Sequence, residues 1–218
     1  MTIEIEDIFL NKLTKESYKW YPYFNIYNKH LNKFKNKNPK VLEIGIRDGG
    51  SLELWHHYFG RGSKIYGVDN NPKVLKLRFD FETDIEVGDQ EDVEFWKRYT
   101  DRRGFFDIII DDGGHHSIQQ ENSIISLFNK LNYGGVYIIE DTHTSYLEDY
   151  GGGLNRPGTF IENMKSLIDI LHTRHVKDVN PPNKIINTFN GLESISFYDS
   201  IVVLEKEIPK DFKIISNF

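Results

Sequence analysis

Val41-Leu-Glu-Ile-Gly45-Ile-Arg-Asp-Gly-Gly50-Ser-Leu-Glu-Leu-Trp-His-His-Tyr-Phe59 runs from strand-forming residues through a glycine-rich turn into a segment with helical apolar spacing. The strand covers 41–44, the turn 45–50 and the helix 51–59, with Ser51 near its cap. Downstream the alternation repeats. Apolar strands are expected at 64–69, 84–87, 106–111 and 135–140, helices at 119–131 and 159–172. A closing strand pair at 194–198 and 200–206 turns at Asp199. Strands that alternate with helices predict an α/β fold, a Rossmann-like doubly wound, mostly parallel sheet with a C-terminal antiparallel strand pair.

Composition sets the outer bounds. The 218 residues make one ordinary domain, with a core large enough to need neither disulfides nor zinc. There is no cysteine, which excludes thiolate catalysis, iron–sulfur clusters and thiolate-bound zinc. With 27 basic and 33 acidic residues the net charge is −6, which argues against a nucleic-acid partner. No apolar run is long enough to span a bilayer. Residues 1–7 are acidic and lack the layout of a secretory signal, so a cytoplasmic location is expected.

Residues 1–40 form a separate N-terminal helical and aromatic segment, and 41–218 the main domain. Trp20, Tyr23, Phe24 and Tyr27 follow helical spacing. Two roles are open: a stripe packed on the domain, or a lid over a bound ligand. The lysines at 33, 35, 37 and 40 read as a solvated linker.

In open α/β sheets, ligands bind beyond the carboxyl ends of the strands. Glu43, Gly45, Gly49 and Ser51 lie at the first such end, Asp69 at the second, and Asp89 and Gln90 just after the third. A glycine-rich turn with a downstream acid suggests a nucleoside cofactor whose ribose hydroxyls meet a carboxylate. Arg47 stands where a dinucleotide fingerprint needs its middle glycine, and no Walker A lysine is present. Glu43 disfavours a phosphate, so S-adenosylmethionine, a cation without phosphate, suits the turn better. The motif resembles motif I of class I methyltransferases. That resemblance implies that Asp69 holds the ribose and that Asp89 and Gln90 lie beside the adenine.

Strand four ends in Asp111-Asp-Gly-Gly-His115-His116 and strand five in Glu140-Asp-Thr-His143. Carboxylates gathered without basic partners would repel one another, and a divalent cation relieves this; all-oxygen ligands favour Mg²⁺. Asp112, Glu140 and Asp141 are the expected ligands, with Asp111 alternating to the other side. His115 is the expected general base for a hydroxyl, a role suited to an imidazole near neutrality. His143 and Tyr146 are candidate substrate residues. The loop at 146–158, with four glycines and Pro157, is a candidate acceptor flap, and its Arg156 is a partner for a substrate phosphate or a solvated side chain.

Three runs, Ile110-Asp-Asp-Gly-Gly-His115, Tyr137-Ile-Ile-Glu-Asp-Thr-His-Thr-Ser-Tyr146 and Ser196-Phe-Tyr-Asp-Ser-Ile-Val-Val-Leu-Glu-Lys206, resemble metal-dependent sugar O-methyltransferases acting on macrolide and polyketide deoxysugars. The resemblance implies a class I methyltransferase fold. It also implies Mg²⁺ on Asp112, Glu140 and Asp141, His115 as base, and a sugar acceptor that is free, nucleotide-linked or part of a glycan. A homo-oligomer is expected. Gly114 departs from the family's usual serine. The competing functions are metal-dependent hydrolysis, which leaves Glu43, Asp69 and Asp89 idle, and a non-catalytic nucleoside-binding module.

Overall fold

The computed structural model describes residues 4–175, 187–211 and 213–217. Among these, the strands are β1 (Lys40–Ile44), β2 (Lys64–Asp69), β3 (Thr83–Val87), β4 (Phe106–Asp111), β5 (Leu131–Ile139), β6 (Leu192–Tyr198) and β7 (Ile201–Lys206). They form one sheet in the order β3-β2-β1-β4-β5-β7-β6. β1 to β5 run parallel, β7 is antiparallel to β5, and β6 is antiparallel to β7. This is the doubly wound sheet with a closing antiparallel pair that the sequence predicts. No described helix is long and apolar enough to cross a membrane.

Successive side chains on a strand point to opposite faces, and this divides the core in two. Val41, Ile108, Ile110, Val136, Ile138 and Val203 pack with α1 (Glu4–Asn11), α2 (Tyr23–Leu31) and α3 (Gly50–Phe59), including Tyr27 and Trp55. Leu42, Ile44, Ile109, Tyr137, Ile139 and Leu204 pack on the other face with α4 (Val93–Arg103), α5 (Ser117–Leu127) and α6 (Phe160–His172). α4 has no counterpart in the sequence reading. Its boundaries are written there nonetheless: the Asp92 side chain accepts from Glu94 N, and Gly104 follows the last turn.

Two expectations for the N-terminal segment change. α2 begins at Tyr23 because Pro22 fixes the entry to the helix, so Trp20 lies outside the stripe and is 60% exposed. Tyr23, Phe24 and Tyr27 remain buried. Lys40 is not linker but the first residue of β1, with its ammonium on the carbonyl of Arg103. Lys33 pairs with Glu205 at 3.2 Å, and Lys35 pairs with Glu4.

The register aligns the carboxyl ends that matter. Ile44 pairs with Asp111, and Asp111 with Ile139. The ladder continues one step further, with Asp112 N donating to Ile44 O at 3.0 Å and Glu140 N to Asp111 O at 2.9 Å. Gly45, Asp112 and Glu140 therefore sit level at the tips of three adjacent strands. Gly45 has φ +85°, and a Cβ there would overlap the carbonyl of Asp112. We predict that Gly45→Ala lowers the unfolding free energy by about 3 kcal/mol, the sum of left-handed strain and steric overlap. Urea titration checks this; a loss under about 1 kcal/mol would mean that the two strand tips are not locked together as described.

Candidate active site

Period-2 alternation also decides where the strand-tip acids face. Glu43, Asp112 and Glu140 are in phase with the α2–α3 side, while Asp111 faces the α4–α5 side. On that second side Asp111 accepts from Gln90 Nε2 at 2.7 Å and Gly113 N at 3.4 Å. Its Oδ2 is buried without a partner. Burial pushes the Asp111 carboxyl up to about 7, against the pull of these donors. Gln90 also donates to Ser123 Oγ at 2.8 Å and accepts from Gly114 N at 2.9 Å, so its amide fixes the turn after β4.

On the first side the acids meet a cation that the sequence reading missed. Lys19, from the stretch before α2, places Nζ 2.6 Å from Asp112 Oδ2 and 2.9 and 2.8 Å from the two oxygens of Glu140. Glu43 Oε1 lies 3.8 Å away, and the lysine side chain is only 1% exposed. The premise that these carboxylates have no basic partner is thus corrected. Burial works against the ammonium, but Asp112, Glu140 and Glu43 outweigh it and hold the Lys19 pKa well above its ordinary value. Burial and Asp112 push Glu140 up, while Lys19 and the hydroxyl of Tyr27, donating at 2.7 Å, pull it back. Those short contacts are what an ionised carboxylate makes with an ammonium and a phenol. Glu43 is fully buried and accepts from Trp55 Nε1 at 3.1 Å; burial, tempered by Lys19, raises it to about 7.

Asp141 escapes the alternation because its backbone is left-handed, φ +53°. Its Oδ1 accepts from Tyr23 Oη at 2.5 Å, and its Oδ2 lies 3.4 Å from His115 Nε2. Asp112 Oδ1 is 3.9 Å from the same nitrogen. Asp112, His115 and Asp141 each offer a ligand atom within 4.8 Å of the others, whereas both oxygens of Glu140 are engaged by Lys19. Tyr23 continues to Ser200 Oγ at 2.8 Å, and Ser200 to His143 Nδ1 at 2.5 Å. Arg47, His115, Asp141 and Ser200 all have positive φ, a strain of about 1–3 kcal/mol each that surrounding bonds must hold. Among those bonds are Arg47 N to Asp69 Oδ2 at 2.9 Å and Thr144 Oγ1 to His115 O at 2.7 Å.

A cavity of about 770 Å³ opens above these tips. Gly45, Ser51, Asp69, Asp89, Gln90, Asp112, His115, Glu140 and Asp141 line it, as do Lys19 and Trp20. Glu43 and Gly49 do not reach it. Glu43, paired with Ile110, lies two residues deeper on the ladder than Asp112, and Gly49 backs onto Phe79 and Leu77. His143 and Tyr146 line a second hollow of about 530 Å³ beside Phe197 and Ser200. Arg156 lines neither and donates to Gly152 O at 3.1 Å.

Six carboxylates face the larger cavity against one lysine and one arginine, so its wall favours a cationic ligand. Asp69 is held by backbone amides of Arg47 and Asn71, at 2.9 and 2.8 Å, and each oxygen keeps a lone pair for a further donor. The residues also fit a hard divalent cation: the Lys19 ammonium already stands as a cation among their oxygens.

No family model matches the chain. It is 36% identical to the mycinamicin VI 2''-O-methyltransferase of Micromonospora griseorubida, over 86% of this chain and 51% of that protein. It is 34% identical to a rhamnosyl-tetracenomycin C 3'-O-methyltransferase of Streptomyces olivaceus, over 86% of this chain and 50% of that protein. Its homologues are sugar O-methyltransferases. Crystals of the MycE methyltransferase with Mg and SAH match with TM-score 0.78 at 30% identity, covering 96% of this chain and 57% of that one. A further MycE crystal, which also holds mycinamycin VI, gives TM-score 0.77 at 29% identity over 96% and 56%. The chain spans about half the length of the curated methyltransferases it matches.

The turn after β4 is built on Asp111, whose buried proton makes the arrangement testable. The unfolded chain releases this proton near the ordinary value of 3.8, while the folded carboxyl keeps it up to about 7. The folded form therefore binds more protons across that window, and stability falls as pH rises. We predict that Asp111→Asn, in the presence of chelator, removes up to about 1.4 kcal/mol per pH unit of that fall. Urea midpoints between the two pKa values measure it. An unchanged slope would show that Asp111 is ionised in its buried site.

Proposed function

We propose that this chain carries a Mg²⁺- and S-adenosylmethionine-dependent O-methyltransferase active on a sugar hydroxyl. The observation that carries the reading is the acid-lined cavity, with a largely buried imidazole and two carboxylates converging at the rim of a sheet homologous to sugar O-methyltransferases. Bound S-adenosylmethionine would supply an electrophilic methyl group. Bound Mg²⁺, held by Asp112, Glu140 and Asp141, would supply Lewis-acid polarisation of the acceptor hydroxyl.

The chain's own residues do the rest. Asp69 accepts the cofactor's ribose hydroxyls, and Asp89 with the Gln90 backbone frames the adenine end. Gly45 and Ser51 shape the floor of the cavity. Glu43, beneath that floor, orients Trp55 and adds to the field around Lys19.

His115 takes the acceptor's proton at Nε2, the ring nitrogen facing the cavity-side carboxylates, because Nδ1 is buried without a partner. Asp141 steers the ring, its Oδ2 lying 3.4 Å from Nε2. Tyr23 and Ser200 keep Asp141 in place. Catalysis in this reading is alignment plus proton removal.

His143 and Tyr146 face the acceptor's remote portion from the second hollow, whereas Arg156 lies outside it on the carbonyl of Gly152. The acceptor is a free, nucleotide-linked or glycan-borne sugar, met by a homo-oligomer in the cytoplasm. The acidic cavity and the net charge of −6 argue against a nucleic-acid partner.

Labelled S-adenosylmethionine, a panel of deoxysugar glycosides and mass spectrometry provide the test. Wild type should transfer methyl to a sugar oxygen, and chelator should abolish this. His115→Ala should lower kcat about 10²–10⁴-fold, the range of a lost general base, with S-adenosylhomocysteine affinity unchanged by calorimetry. Full turnover in chelator, or in His115→Ala, would refute the assignment.

A further inference from the structure

Lys19 has no part in the chemistry above, yet it sits where that chemistry needs a metal. We propose that Lys19 is a tethered placeholder cation that a divalent ion must displace, making it a positioning residue that links metal loading to the cavity wall. The inference rests on the reading of Asp112, Glu140 and Asp141 as the metal's holders.

The geometry makes the two cations exclusive. Nζ lies within 2.6–2.9 Å of Asp112 Oδ2 and both oxygens of Glu140, between the two carboxylates. Mg²⁺ binds oxygen at about 2.0–2.1 Å and demands near-octahedral access, so it cannot join Asp112 to Glu140 with an ammonium in that gap. Without metal, the lysine spares the buried Glu140 and the partly buried Asp112 the cost of standing unpaired. With metal, it becomes the surplus charge.

The tether gives the displacement a direction. Upstream, the chain is clipped to Glu53, which accepts from Thr14 N at 2.6 Å, Thr14 Oγ1 at 2.7 Å, Lys15 N at 3.1 Å and Lys15 Nζ at 2.7 Å. Glu16 O also accepts from Gly50 N at 3.2 Å. Downstream, Pro22 starts α2, which is buried in the core. The span between these anchors carries Ser17, Tyr18 and Trp20 on the cavity wall, where Tyr18 meets Arg47 and Trp20 meets His143 through ring contacts that a shift can break. Removal of Lys19 from the acids therefore repositions the wall that faces the cofactor and acceptor.

Lysine labelling with a small amine-acylating reagent, read by mass spectrometry on the whole chain without cofactor, tests this. In chelator Lys19 should be protected, against Lys33 and Lys165, which are 45% and 43% exposed, as internal references. Saturating Mg²⁺ should raise Lys19 labelling about tenfold or more, since its protection is the closed position itself. In parallel, Mn²⁺ titration followed by EPR should show Lys19→Met binding about tenfold tighter than wild type, because no competitor remains. Circular dichroism confirms that the variant folds, and the labelling arm needs no variant. If Mn²⁺ binds wild type but Mg²⁺ leaves Lys19 protected, or if Lys19→Met binds no tighter, the placeholder is refuted and the metal reading stands. If wild type binds no Mn²⁺, both fall together.

Discussion

Negative charge crowded at neighbouring strand ends is the constraint on which the rest depends. Glu43, Asp112 and Glu140 lie at the tips of β1, β4 and β5 on one face, and Asp141 is turned toward them by a left-handed backbone. Glu43 and Glu140 are essentially excluded from water. Such a group is tolerable only with countercharge and donors aimed at it. The structure supplies Lys19, the hydroxyls of Tyr23 and Tyr27, and the indole of Trp55. Each comes from helix or strap residues whose apolar neighbours build the core on that face. The N-terminal segment is thus both core and site.

The separation of Asp111 from Asp112 shows how little is needed to give two adjacent acids different work. One step along a strand rotates a side chain through the sheet. Asp112 enters the cavity wall, while Asp111 is sealed among Gln90, Ser123 and the Gly113 amide. There it organises the turn that carries His115, whose φ of +60° places the imidazole back over the cavity.

That alternation, the glycine turn and the acids after each strand are local patterns, and they were legible in the residues. Strands β1, β2 and β4 and the closing pair fall close to where apolar runs and turns put them. Asp111 was read correctly as facing away from Asp112, since period 2 needs no tertiary knowledge. The partners were not legible for the opposite reason. Lys19 reaches acids 93 and 121 residues away, Tyr27 reaches one 113 away and Tyr23 one 118 away. A lysine in a Lys- and Tyr-rich stretch reads as solvated until the fold brings it to three carboxylates. Pro22 was a local signal overlooked, as were Asp92 and Gly104 around α4; it moves Trp20 off the helix and onto the cavity wall, with its ring tilted against His143 at a centroid distance of 5.6 Å. Glu43 misled in the other direction: its place before the turn suggested a ligand contact. It shares the parity of Asp112 and Glu140 but pairs with Ile110, two residues below Asp112, and that depth rather than its face puts it beneath the floor.

The strained positions join these observations into one argument about rigidity. Left-handed residues other than glycine persist only where their surroundings over-determine them. At Asp141 the surroundings are Tyr23 on its carboxylate and Thr144, whose hydroxyl accepts no alternative place because it bridges the Asp141 and His115 carbonyls at 2.9 and 2.7 Å. At Ser200 they are Tyr23, His143 and the Thr142 amide at 3.0 Å. Tyr23 therefore ties the strained backbone after β5 to the turn between β6 and β7, and does so from α2. An imidazole and its neighbouring carboxylates held by such shared bonds can be placed to a fraction of an ångström. Substitution at any one of the bonds loosens all of them, because the strain at each position is balanced by contacts that the others also use.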